Sequence, residues 1–190
     1  MLGEHERAAI ARLWQRKLEQ DARGLPQAER HRNLEPPSAE FLSVLASGVG
    51  ARRILEIGGS SGISTIALAV AARDTGGRVT SIEIEPKRQQ ESRELLRGLA
   101  LDNFVEYICD DADAVLPRLG EAELALIDCE KEDYIRFFSM LRVAPGGFVV
   151  ADNIISHSLT EYVKHVWERP NVESVTLPIG KGLEVTRFVA

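Results

Sequence analysis

Cysteine and long apolar runs are both scarce in this sequence. The 190 residues include two cysteines, Cys109 and Cys129, and each follows an apolar run instead of belonging to a spaced framework. This pattern argues against a disulfide-stabilised secreted fold and indicates reduced thiols in a cytosolic protein. No apolar run approaches the ~18 residues of a membrane span, and no charged-then-apolar leader opens the chain. We therefore expect a soluble, cytoplasmic protein without a membrane partner.

Positive charge is also in deficit. The chain has 23 Lys and Arg residues against 29 Asp and Glu residues, which gives a net charge of −6 at pH 7. Such a chain lacks the general basic field of proteins that wrap nucleic acid, although a local basic patch is compatible with it. Apolar residues, in contrast, make up 44% of the sequence. At this length they are sufficient for the core of one globular domain.

Strand-like and helix-like segments alternate along the chain from residue 53 onward. Five successive strand–helix units are typical of an α/β domain, doubly wound around a mostly parallel sheet. Only residues 178–182 separate the last two strands, which is too few for a crossover helix, so these strands should form an antiparallel hairpin. The predicted strands are 53–57, 78–84, 104–109, 124–127, 148–151, 172–177 and 183–189. The helices between them are predicted at 62–72, 87–101, 112–119, 132–141 and 159–168, with a Pro145-Gly146-Gly147 turn before the fifth strand.

Residues 1–35 read as a separate N-terminal part, followed by the main domain at 36–190. The spacing of Ile10, Leu13, Trp14 and Leu18 predicts an amphipathic helix over 4–22 that packs on the domain or on a partner subunit. The polar segment 30–33 that follows is either a flap over a site or a plain surface connection.

Two apolar runs each end at a carboxylate, Asp128 and Asp152, and Asn153 follows the second. Continuous apolar runs fit strands buried on both faces, and ligands of open α/β sheets bind beyond the carboxyl ends of such strands. The two acids and the amide should therefore form an oxygen-rich pocket, with Lys131 three residues past the first acid. Alternatively, Asp128 caps the next helix and Asp152-Asn153 makes a turn.

A glycine-rich loop, from Glu56 to Gly62, follows the first strand and leads into a helix. Glycines allow a close approach of the backbone to a ligand, and the helix N-terminus offers unpaired amides. Ser60 stands where a dinucleotide-binding loop has its second glycine, which disfavours a pyrophosphate ligand. Glu56 just before the glycines suits a cationic ligand better, because a carboxylate and a phosphate repel each other.

Further acids follow the second and third strands. Glu83 stands about twenty residues after Gly62, where an acid can accept hydrogen bonds from both hydroxyls of an adenosine ribose. At the exit of the third strand, Asp111 either reaches the exocyclic amine of adenine or caps the helix that follows it.

Together these motifs resemble the S-adenosylmethionine-dependent O-methyltransferases of the catechol and caffeoyl-CoA type. The pattern D-x-x-K-x-x-Y, here Asp128 to Tyr134, followed by a strand-terminal Asp152-Asn153 pair, is specific to that family. The glycine loop alone would be a weak signal, and the closing 177–184 stretch resembles the family's final hairpin. The resemblance covers residues 33–190 and implies a single Rossmann-like methyltransferase domain at 36–190.

The resemblance also implies roles for particular residues. A divalent cation, Mg²⁺ or another, would be held by Asp128, Asp152 and Asn153. Lys131 would be the catalytic residue, acting either as the general base or as a fixed charge that stabilises a phenolate. S-adenosylmethionine would be bound by Glu56, Gly58, Gly62, Glu83, Asp111 and Ala112.

The sequence departs from this family in two places. Only 154–158 separates the Asp-Asn pair from the next helix, so the acceptor site is either more open or completed by the N-terminal segment or a second subunit. Cys129-Glu130 also replaces the family's commoner pairs after the metal-binding Asp. We expect a small-molecule acceptor of catechol-like or hydroxylated aromatic type, no nucleic-acid partner, and either a homodimer or a monomer. The alternatives are a tRNA hydroxyuridine-type methyltransferase and a non-catalytic S-adenosylmethionine-binding protein.

Overall fold

A computed structural model describes residues 1–26 and 29–189 and confirms the predicted α/β class. Seven strands form one sheet in the order β3-β2-β1-β4-β5-β7-β6, and the final two form the expected antiparallel hairpin at its edge. The strands are β1 Arg53–Ile57, β2 Arg78–Ile82, β3 Val105–Ile108, β4 Ala122–Ile127, β5 Val143–Ala151, β6 Val172–Leu177 and β7 Leu183–Phe188. The helices are α1 Glu4–Ala22, α2 Pro36–Gly48, α3 Ile63–Thr75, α4 Pro86–Gly98, α5 Ala112–Val115, α6 Tyr134–Met140 and α7 Thr160–Trp167.

The core lies on both faces of the sheet, as the continuous apolar runs predict. The stretch from Leu124 to Ile127 in β4 has no exposed side chain. Residues of α1 to α4 cover one face of the sheet, and residues of α5 to α7 cover the other. On the second face, the ring of Tyr162 packs edge-on against Tyr134 and Phe138, with centroids 5.5 and 5.7 Å apart. Within residues 1–26 and 29–189, no helix combines the length and apolar character that a membrane crossing requires.

Several predicted boundaries were wrong, each for a local reason. The Pro145-Gly146-Gly147 segment is an irregular part of β5 and not a turn before it: Ala122 pairs with Val143, and the register then shifts so that Leu124 pairs with Phe148. The predicted helix 112–119 stops after one turn and continues as a 3₁₀ turn, because Pro117 has no N–H to donate. The second strand ends at Ile82 and not at residue 84.

The strand ends align at one edge of the sheet and fix the position of the site. Ile57 at the end of β1 pairs with Ile82 of β2 and with Ile127 of β4. Ile127 in turn pairs with Ala151 of β5. The residues that follow these strand ends, which include Asp128 and Asp152, therefore emerge side by side.

Candidate active site

The two strand-terminal acids and the amide converge as the sequence predicts. The Asn153 amide nitrogen donates to Asp128 Oδ1 at 3.0 Å and to Asp152 Oδ2 at 2.8 Å. Asp152 is 2% exposed, and its Oδ1 is buried without a hydrogen-bond partner. Asn153 holds a left-handed backbone conformation with φ of 64°, an uncommon state for a residue with a side chain. The backbone at this point is thus held in the shape that turns Asn153 toward the acids.

The electrostatics of this cluster favour a bound cation. Burial, and then the negative charge of Asp128, raise the pKa of Asp152 to about 8. A cation between the two carboxylates would offset both causes. The donor set is two carboxylates and one amide, and among the described residues no group of three or more His, Cys, Asp or Glu side chains gathers in a metal-binding cluster. Asp128 caps no helix, since the short 3₁₀ turn after it begins at Lys131 with Glu130 at its N-cap.

Lys131 lies beside this cluster and is 15% exposed. Its Nζ lies 3.3 Å from Asp128 Oδ1 and donates to Tyr134 Oη at 2.7 Å. Tyr134 is fully buried, and its hydroxyl donates to the backbone carbonyl of Asp152 at 3.2 Å. Tyr134 thus forms a hydrogen-bonded link between the Lys131 side chain and the backbone of Asp152, with Asp128 beside the Lys131 end.

A cavity of about 160 Å³ lies over the ends of β1, β2 and β4 and collects four of the six predicted cofactor residues, Gly58, Glu83, Asp111 and Ala112. Glu83 is 6% exposed, and its two oxygens accept from the backbone amides of Ser60 at 2.8 Å and Glu85 at 2.9 Å. These bonds fix the carboxylate at the cavity wall. Ser60 and Arg32 also line the cavity but were not among the predicted site residues. The position of Ser60 inside the glycine loop could have indicated that it belongs to the site.

The structure shows the capping role of Asp111, and the adenine role stays a prediction. Its carboxylate accepts from the amide of Asp113 at 2.9 Å and so caps α5, and the residue also lines the 160 Å³ cavity. The capping bond thus holds the side chain at the cavity.

Glu56 and Gly62 are not among the residues that line this cavity. Glu56 is fully buried beneath the loop, where it accepts from Thr65 Oγ1 at 2.8 Å and from Ser81 Oγ at 2.5 Å. Burial raises the pKa of Glu56 above its ordinary value. At Gly62, with φ of 108°, a Cβ would lie 2.7 Å from Ser92 Oγ, so this glycine allows α3 to pack against α4.

A second cavity, of about 280 Å³, lies on the other side of Asp128. Asp128 and Arg32 line both cavities, so the two meet at these residues. Its described lining residues are all polar or charged: Lys17, Asp21, Arg30, His31, Arg32, Asn33, Asp128, Lys131, Asn153, His157 and Lys181.

The N-terminal segment forms the outer wall of this second cavity. The Arg32 amide donates to Ser60 Oγ at 3.2 Å, and the Arg32 guanidinium pairs with both carboxylate oxygens of Glu130. Asn33 Nδ2 donates to Ser61 Oγ at 2.9 Å. These contacts tie the segment to the glycine loop and to the loop after Asp128. The described residues thus complete the cavity from the chain's own N-terminal part.

Comparisons with known proteins identify the family and the fold. The family model described as O-methyltransferase matches residues 22–189. A catechol O-methyltransferase from Mycobacterium tuberculosis is 38% identical over 120 residues, a match that covers 61% of this chain and little more than half, 54%, of that relative's own length. The crystal structure of the cofactor-bound protein Rv0187 from MTB superposes with a TM-score of 0.81 at 26% identity, covering 95% of this chain and 89% of that one. An O-methyltransferase from Bacillus cereus in complex with SAH has the same fold, with a TM-score of 0.78 at 23% identity over 95% of this chain and 90% of that one.

Proposed function

The chain belongs to the O-methyltransferase family, and from that premise we propose that it transfers the methyl group of S-adenosylmethionine to a hydroxyl of a small, catechol-like aromatic acceptor with the help of Mg²⁺ or another divalent cation. The observation that carries this proposal is the position of Asp128, which lies where the two cavities meet. A methyl donor in one cavity and an acceptor in the other would face each other across this residue. Residues 36–190 would form the catalytic domain, and the N-terminal segment would wall the acceptor cavity.

The first cavity has the polar groups that an adenosine-containing donor requires. The fixed Glu83 carboxylate keeps unused lone pairs for the two ribose hydroxyls, and Asp111 with Ala112 lies on the side expected for the adenine. Gly58 lets the loop approach a ligand closely, since it has no side chain and a φ of 94°. These side chains would bind and orient the donor, and alignment of the reacting atoms is itself a large part of the catalysis.

The acid cluster fits a divalent cation. Carboxylate and amide oxygens are the ligands that Mg²⁺ prefers, and the buried, unpartnered Asp152 Oδ1 is an oxygen available to it. A 180° rotation of the Asn153 side-chain amide would place its oxygen, and not its nitrogen, between the two carboxylates. A cation bound there would act as a Lewis acid on the acceptor hydroxyl.

Lys131 is the residue placed to handle the proton of that hydroxyl. As the methyl group passes from sulfur to oxygen, a C–S bond breaks, a C–O bond forms and the hydroxyl proton leaves. A neutral Lys131 would take this proton, whereas a charged Lys131 would stabilise the oxyanion until the proton reaches solvent. The Tyr134 hydrogen bond would hold the amine in position for either role.

The test is transfer of labelled methyl from S-adenosylmethionine to catechol and to a dihydroxybenzoate with vicinal hydroxyls, with Mg²⁺ and then with a chelator. We expect metal-dependent turnover that Asp128→Asn abolishes. Asp102→Asn is the matched control, because Asp102 precedes β3 at the opposite edge of the sheet. Circular dichroism and a cofactor titration would verify that both variants fold. Turnover that is indifferent to both the chelator and Asp128→Asn would disprove the proposal.

A further inference from the structure

Ser60 holds a backbone conformation that glycine adopts more easily. Its φ is 45° and the residue is 5% exposed, so it is a buried non-glycine residue in the left-handed region. A Cβ in that region lies too close to the following carbonyl oxygen, which is why such positions favour glycine. Positions 58, 59 and 62 of the same loop are glycine. The role of the serine side chain is therefore to be found in the contacts of its hydroxyl.

The two polar groups of Ser60 bind different parts of the chain. Its backbone amide donates to Glu83 Oε2 at 2.8 Å, at the wall of the first cavity. Its Oγ accepts from the backbone amide of Arg32 at 3.2 Å, in the segment 30–33. Ser60 thus links the carboxylate proposed to bind the donor ribose with the segment that walls the second cavity. A glycine at position 60 would keep the first bond and lose the second.

The next loop residue makes a second tie to the same segment. Asn33 Nδ2 donates to Ser61 Oγ at 2.9 Å, and this Oγ also lies 3.1 Å from Asn33 Oδ1. Both residues are buried. Two consecutive loop residues therefore hold two consecutive segment residues. The segment is also joined to α1, because the His31 amide donates to Gln20 Oε1 at 2.8 Å.

The position of the segment determines where Arg32 lies. Arg32 lines both cavities, as does Asp128. Its ion pair with Glu130 is partly exposed, and pairs of that kind hold a segment only weakly. A misplacement of about 1 Å near reacting groups can cost about 100-fold in rate. The ties to the glycine loop therefore affect how an acceptor is held against the donor.

We propose that Ser60 is a positioning residue whose hydroxyl fastens the segment 30–33 to the glycine loop, so that donor binding at the loop also orders the wall that the acceptor meets. This inference rests on the proposed function and deepens it, because it makes donor and acceptor binding cooperative. A donor that contacts Glu83 would hold the loop through the Ser60 amide, and the loop would hold the segment through the hydroxyl. The acceptor would then bind a wall that the donor has already ordered.

The experiment removes the hydroxyl in two ways, by Ser60→Gly and by Ser60→Ala. The first variant also relieves the left-handed strain and the second keeps the Cβ, so an effect that both share belongs to the hydroxyl. Ser158→Gly is the matched control. Ser158 has a similar φ of 50°, is exposed, and is not among the described residues that line either cavity.

Three quantities are measured on the full chain. Calorimetry gives the affinity for S-adenosylhomocysteine. NMR follows hydrogen exchange of the Arg32 amide with and without S-adenosylhomocysteine. Initial rates with saturating S-adenosylmethionine and Mg²⁺ give kcat and KM for a dihydroxybenzoate with vicinal hydroxyls. Circular dichroism verifies that each variant folds.

We expect S-adenosylhomocysteine to slow exchange of the Arg32 amide about tenfold in the native chain and in Ser158→Gly, and to have little effect on it in both Ser60 variants. The Ser60 variants should raise the acceptor KM about tenfold, because a wall that is only partly ordered lowers the apparent affinity. Their kcat should change less than about twofold, since a saturating acceptor orders the wall itself, and their affinity for S-adenosylhomocysteine should fall by no more than about fivefold.

An unchanged acceptor KM in both Ser60 variants would overturn the inference and leave the proposed function standing. An equal rise of KM in Ser158→Gly would overturn it too, because the effect would then not depend on the tie. Loss of S-adenosylhomocysteine binding in the Ser60 variants would instead place the hydroxyl on the donor itself. If the native chain methylates no acceptor, the proposed function fails, and the exchange of the Arg32 amide decides the inference alone: protection by S-adenosylhomocysteine that persists without the hydroxyl refutes it.

Discussion

Gly58 packs the glycine loop against Asp128, the proposed metal ligand, and adding one methyl group tests this link. Gly58 has φ of 94°, and a Cβ built on it would lie 2.2 Å from the backbone carbonyl oxygen of Asp128 and 2.8 Å from its carbonyl carbon. The obstacle is backbone and not the flexible end of a side chain. In Gly58→Ala, the exit of β1 or the exit of β4 must therefore move.

The loss of unfolding free energy that we expect in Gly58→Ala has two parts. A left-handed backbone costs a non-glycine residue about 1–2 kcal/mol. Overpacking a well-packed site adds about 1–3 kcal/mol. Gly50→Ala isolates the first part, because Gly50 has φ of 67° and no atom within 4 Å of an added Cβ. We expect Gly58→Ala to lose about 2–5 kcal/mol of unfolding free energy and Gly50→Ala about 1–2 kcal/mol.

Urea denaturation monitored by circular dichroism would measure both variants against the native chain. Titration of Mg²⁺ below the unfolding transition would then compare the acid cluster in the two folded variants. We expect weaker Mg²⁺ binding in Gly58→Ala only, since the clash falls on the residue that supplies the carboxylate. Equal stability of the two variants would refute the clash, and equal stability together with equal Mg²⁺ affinity would refute the coupling.

Three further predictions concern single groups of the site. If Lys131 acts as a fixed charge, Lys131→Arg should retain much of the turnover that Lys131→Met loses. If Lys131 is the general base, both variants should lose turnover. Initial rates measured with saturating cofactor distinguish the two roles. The folded-state pKa of Glu56 is raised from the ordinary 4.5, so its contribution to stability falls as pH rises from 4.5 through the raised value; urea unfolding should show this slope in the native chain and not in Glu56→Gln. The partly exposed Arg32–Glu130 pair contributes about 0.2–1 kcal/mol, so Arg32→Ala should weaken cofactor binding by no more than about fivefold; a hundredfold loss in a fluorescence titration would instead indicate direct contact with the cofactor.

The parts of the site that the sequence predicts are those that depend on strand ends. Asp128 and Asp152 follow apolar runs, and parallel strands bring their carboxyl ends to one edge of the sheet whatever the helices between them do. Lys131 is near the first acid because it is three residues away on the chain. The apolar pattern also predicts which segments are strands and which are helices. It does not predict where β5 begins, because that boundary depends on a local register shift at Pro145–Gly147 that periodicity does not encode.

The sequence offers the N-terminal segment as one possible wall of the acceptor site, but it does not predict which cations line the second cavity. Lys17 comes from α1, Arg30 from the segment after it, and Lys181 from the last turn of the sheet. In the sequence of a chain with negative net charge, each of these three residues would be interpreted as an ordinary surface cation. Their convergence depends on how α1 packs on α3 and how the segment is tied to the glycine loop, and these are contacts between distant parts of the chain.

Two acids that the sequence predicts as cofactor-binding, Glu56 and Glu83, show why residue type and spacing do not suffice. Both stand at or near strand ends in the sequence, and both carry roles implied by the resemblance. Glu83 lies one residue beyond β2, so its carboxylate reaches the cavity and is fixed there by two backbone amides. Glu56 lies one residue before the end of β1, and its side chain is buried in the core, where two hydroxyls donate to Oε2 and Oε1 has no hydrogen-bond partner among the described residues. Because Glu56 does not line the cavity, it can act on a sulfonium bound there only through its charge, and burial, which raises its pKa, opposes that charge.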